Sequence, residues 1–132
     1  MERYLKEVLH VPNDHIDTFY DKGANRTAII NAFKKLPEDP RIKEGDPVVI
    51  FYAGHGGELV APRVWWVKKK IQCLIPQDCY PKDPRGIEPV PEEHAPIPDR
   101  SIGVSLENLA RYKGNNIASA IPRPLSSFLT SV

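Results

Sequence analysis

His55 is enclosed by Gly54, Gly56 and Gly57, directly after an apolar run at residues 48–53. Glycine admits positive φ and close backbone approach, so such a segment can present an imidazole and aim bare N–H groups at a substrate. An imidazole titrates near neutrality and serves as a general acid or base. The plain alternative is a solvated turn with an incidental histidine. The chain's two thiols are Cys73 and Cys79. Cys73 lies in an apolar run, where a free cysteine packs as a small hydrophobe. Cys79 follows Asp78, and an adjacent carboxylate raises a thiol pKa. Two cysteines make neither a disulfide framework nor a paired zinc site. Reduced thiols in a cytoplasmic chain are the expectation.

Two catalytic settings suit a glycine-flanked histidine after a strand. An esterase-type oxyanion loop requires a Gly-x-Ser-x-Gly elbow downstream. Gly103-Val-Ser105-Leu-Glu107 fails at its last position and opens a helical pattern, and the esterase fold needs a much longer chain. The other setting is a Cys–His peptidase, with His55 activating a thiol elsewhere in the fold.

The elements that must position His55 alternate along the chain. Tyr4, Leu5, Val8 and Leu9 form an amphipathic helical stripe within residues 1–10. Turn chemistry at residues 11–14 precedes a short β-prone run, Ile16-Asp-Thr-Phe-Tyr20. Asn25 suits an N-cap for a helix through Leu36, with Ile29, Ala32, Phe33 and Leu36 on its buried face and Pro37 at its end. Val48-Val-Ile-Phe-Tyr-Ala53 is continuous, apolar and β-branched, which predicts a strand buried on both faces. Ile71-Gln-Cys-Leu-Ile75 predicts a second strand, and Ile102, Leu106, Leu109 and Ala110 space as a helix ending near Gly114. This order argues for an α/β domain with a mostly parallel sheet, in which ligands sit beyond the carboxyl ends of strands.

The 132 residues allow one domain, and 41% apolar with 27% charged residues describes a globular one. A formal charge of +1 provides no basic field for nucleic acid. No run approaches the roughly 18 apolar residues of a membrane helix, so a membrane is not an expected partner. Of the 14 prolines, eight lie between Pro62 and Pro98. Proline fixes φ and lacks an N–H, so that stretch reads as a surface excursion between two ordered blocks.

Taken together, these segments resemble the caspase-like cysteine endopeptidases, fungal metacaspase-type domains in particular. Val49-Ile-Phe-Tyr-Ala-Gly-His-Gly-Gly57 looks like the catalytic-histidine segment. Residues 9–16 resemble the turn after the family's first helix, and residues 25–33 its second helix. Ile71-Gln-Cys-Leu-Ile-Pro-Gln-Asp78 resembles the strand and aspartate beyond the histidine. Residues 97–103 and 113–117 resemble the approach to the nucleophile strand. The likeness spans about residues 4–117, which gives a partial peptidase domain at 1–117 and a divergent tail at 118–132. It implies a three-layer caspase-like sandwich, His55 as the acid/base of a Cys–His dyad, and the Gly56 N–H as one oxyanion donor. The implied substrate is a peptide or protein, with another caspase-like chain as a further partner.

The family's nucleophile belongs to an Asp-Cys-Cys-His-Ser-Gly type segment on a strand that should start at Ile117. Here the chain reads Ile117-Ala-Ser-Ala-Ile-Pro-Arg-Pro124, which places Arg123 at about the cysteine's position. Prolines there do not join a central ladder, so the nucleophile strand is expected to be missing. No cysteine follows Cys79, and the aspartate that reads basic P1 residues in metacaspases is absent too. The family's opening strand also has no counterpart, which predicts unpaired strand edges and marginal stability or dependence on a partner. The resulting expectation is a chain that keeps the histidine, lacks the thiol and is inactive as written. A non-catalytic homologue that binds or regulates active relatives is the first alternative, and an unrelated small binding module the second.

No cofactor is implied by the dyad. Calcium dependence occurs among metacaspases, but Asp78 and Asp99 are two scattered carboxylates where a hard cation wants six or more oxygens. Asp99 after Pro98 reads as a turn residue. Trp65 and Trp66 read as an aromatic plug holding a long loop to the core, and Lys68, Lys69 and Lys70 as a solvated face.

Overall fold

A computed structural model of the chain describes residues 1–60, 70–79 and 91–121. Within them lie three α-helices, α1 (Glu2–Glu7), α2 (Arg26–Lys35) and α3 (Asp99–Lys113). Five strands complete the order: β1 (Val48–Phe51), β2 (His55–Val60), β3 (Lys70–Ile75), β4 (Ile97–Pro98) and β5 (Ile117–Ala120).

The helix starts and stops follow from local chemistry. Asn25 caps α2, its Oδ1 accepting the Ala28 N–H at 2.8 Å. Lys34 and Lys35 sit in the last turn of α2, and Arg111 and Lys113 in that of α3, where cations complement the carbonyl end of the dipole. Gly114 ends α3 at φ +87°, a conformation that glycine adopts without strain. Ile102 and Leu109 are the buried residues of α3, and Leu109 is 0% exposed. Phe33 of α2, Leu74 of β3, Ile97 of β4 and Ile102 of α3 share one core cluster, with Ile50 and Tyr52 packed against it. α1, by contrast, buries no residue.

The end of α3 is tied directly to the entry of β1. Lys113 Nζ donates to the carbonyls of Asp39 at 2.9 Å and Ile42 at 2.7 Å. The Gly45 N–H donates to the Lys113 carbonyl at 2.8 Å, and the Val48 N–H to that of Asn116 at 2.9 Å. With those ends fixed, β1 and β5 run parallel in the register Val48↔Ile117 to Phe51↔Ala120. A second sheet has the order β2-β3-β4 and is antiparallel throughout.

The α/β class stands, and several expectations are corrected. The described strands are not mostly parallel, because β3 pairs antiparallel with both β2 and β4. Ile16-Asp-Thr-Phe-Tyr20 is not a strand: it joins two 3-10 turns, Asn13–His15 and Asp21–Gly23, with Phe19 and Tyr20 exposed. β-prone side chains form a strand only where a neighbour and a packing face exist. β1 is buried on one face alone, with Val49 50% and Phe51 48% exposed. The strand from Ile117 is present as β5, since the prolines begin only at Pro122, after the ladder has ended. The sheet therefore continues past residue 117. Trp65, Trp66, Lys68 and Lys69, much of the proline-rich stretch and the tail from Pro122, including Arg123, lie outside the described residues. None of the described helices is long and apolar enough to cross a membrane.

Candidate active site

β1 delivers the chain to His55 through Tyr52, Ala53 and Gly54. The reversal depends on Tyr52. Its phenol donates to the Ile75 carbonyl at 3.0 Å and also lies 3.3 Å from the His55 carbonyl. One hydroxyl thus spans the two residues that face each other at the start of the β2–β3 ladder, His55↔Ile75. Burial pushes the phenol pKa up from its ordinary value. Its ring lies over Gly54, where an added Cβ would stand 2.8 Å from Tyr52 Cε1. Gly54 is thus required by close approach rather than by a left-handed φ.

His55, Gly56 and Gly57 are accordingly the first residues of strand β2 and not a free loop. Gly56 registers with Leu74 and Gly57 with Cys73. Side chains alternate along a strand, which puts His55 and the Gly57 position on one face, with Ile75 and Cys73 opposite them. His55 is exposed, and its imidazole makes no side-chain hydrogen bond among the described residues. Gly56 is exposed beside it.

Neither thiol is a ready nucleophile. Cys73 is 4% exposed, and burial pushes its pKa up while the Gly57 N–H partly opposes the shift. Cys79 is raised by burial first and by the Asp78 carboxylate second, against a lowering by Arg26. Both are free of disulfides.

Asp78 is engaged elsewhere. Its Oδ1 accepts the Arg26 N–H at 3.0 Å, at the first residue of α2, and its Oδ2 lies 3.7 Å from His94 Nδ1. That nitrogen is also 2.9 Å from the Asp78 carbonyl. Asp78 therefore anchors the end of β3 to α2 and to the 3-10 turn Glu92–His94. Asp99 is the first residue of α3, not a turn residue, and its Oδ1 accepts the Arg100 N–H at 2.7 Å. Asp78 and Asp99 thus each accept a backbone N–H at a different helix start. Among the described residues no group of three or more His, Cys, Asp or Glu side chains could hold a metal ion.

The tasks of Tyr52, Arg26 and His94 escaped the sequence reading. Tyr52 was legible only as strand composition, although a bulky ring two residues before a glycine is compatible with the close approach found. Arg26 and His94 carry no local signal, because their partner Asp78 is distant in sequence.

The parallel pair gives the site its geometry. The carboxyl ends of β1 and β5 are adjacent, joined last by the Tyr52 N–H to Ala120 carbonyl bond at 3.0 Å. His55 follows one of these ends and Ile121 the other. No protein-family model matches the chain, nor does any curated protein or solved structure.

Proposed function

We propose that the chain is a caspase-like domain of the cysteine endopeptidase type, in which His55 is the acid/base of a Cys–His dyad and the thiol partner is lacking. The observation that carries this reading is the parallel β1–β5 pair with adjacent carboxyl ends. Such adjacent ends are where open α/β sheets place ligands. An imidazole that is exposed and makes no side-chain hydrogen bond among the described residues follows β1, and the residues after β5 lead in sequence to Arg123, the position the resemblance assigns to the nucleophile.

In a chain with a thiol there, His55 takes the thiol proton and the thiolate attacks the peptide carbonyl carbon. The Gly56 N–H supports the resulting oxyanion together with the nucleophile's own N–H. The imidazolium then protonates the leaving amine, and water hydrolyses the thioester. The present chain has arginine at 123, so it binds without cleaving. No step uses calcium. Cys73 and Cys79, neither of them in a disulfide, suit a reducing, cytoplasmic setting.

A second reading rests on that same arginine: a non-catalytic homologue that binds or regulates active caspase-like chains. Installing the dyad separates the two. The double variant Pro122→Asp/Arg123→Cys should be labelled at position 123 by a peptidyl acyloxymethyl ketone ending in arginine. The label should be lost on adding His55→Ala and be absent from the natural chain. Labelling that ignores His55 would remove the peptidase reading.

A further inference from the structure

We draw no further inference here: the strongest candidate, the side-chain cluster of Arg26, Asp78 and His94 where α2 begins beside the end of β3, rests on a helix N-terminus already closed by the Asp78 carboxylate and on an Arg26 Nε that lacks a hydrogen-bond partner but is shut off from solvent, and nothing else in the structure points to a ligand there.

Discussion

The Tyr52 hydroxyl lies 3.0 Å from the carbonyl oxygen of Ile75, the residue registered directly across the β2–β3 ladder from His55. A single phenol thereby joins the exit of the parallel pair to the base of the antiparallel sheet. The direction in which His55 leaves β1 is set by that bond and by the ring's close approach to Gly54.

Tyr52→Phe should cost about 1 kcal/mol, the ordinary net value of one hydrogen bond. Gly54→Ala should cost more, because the added carbon meets the ring and the hydroxyl bond is lost with it. Urea denaturation of both variants checks the order. Equal costs would mean that the ring moves aside freely.

Asp78→Ala leaves the first N–H of α2 without its carboxylate, and about 1–2 kcal/mol of stability should go with it, as for other lost helix caps. Asn25→Ala should cost about 1 kcal/mol by the same rule. The two act on one helix start, so the double variant is expected to be non-additive. Thermal denaturation of the four chains tests this.

Asp78 also acts on Cys79, so Asp78→Asn removes one of the two causes that raise its thiol pKa. Alkylation of Cys79 at neutral pH should be slow in the natural chain and faster in this variant. Cys73 should remain unreactive until the chain unfolds, because burial dominates there. Peptide-resolved iodoacetamide labelling reads both thiols together.

Arg41 contacts Asp39 through two nitrogens, and the carboxyl is held down to about 2 from its ordinary 3.8. A carboxyl with a folded value below its unfolded one stabilises the chain fully above the unfolded value. That contribution is lost as pH falls from about 4 toward 2. Carboxyl NMR should place the Asp39 midpoint near 2, and Arg41→Gln should return it to the ordinary range. A midpoint near 4 in the natural chain would show that the pair does not persist in solution.

What could be read from the sequence was local. Asn25 with the Ile29, Ala32 and Phe33 stripe marked α2, and the Ile102–Leu109 spacing with Gly114 marked α3. The apolar runs at 48–53 and 71–75 marked β1 and β3. Pairing was not local. His55-Gly-Gly has no strand propensity, and it becomes β2 only because Ile75 and Cys73 lie opposite. Ala118-Ser-Ala120 is an equally poor strand former, fixed beside β1 by the contacts of Lys113 and Asn116. Ile16-Asp-Thr-Phe-Tyr20 has the composition of a strand and no neighbour to pair with. His55 was legible as reactive from its glycines, whereas the Tyr52 contact that orients it required the fold.

The central claim is that His55 stands where it can activate a thiol following β5. The direct measurement is the alkylation rate, against pH, of the thiol introduced by Pro122→Asp/Arg123→Cys, with and without His55→Ala, followed on the peptide that carries position 123. The account predicts a thiol pKa clearly below the ordinary value of about 8.5, returning to it when His55 is removed. The same pKa in both backgrounds would contradict the account.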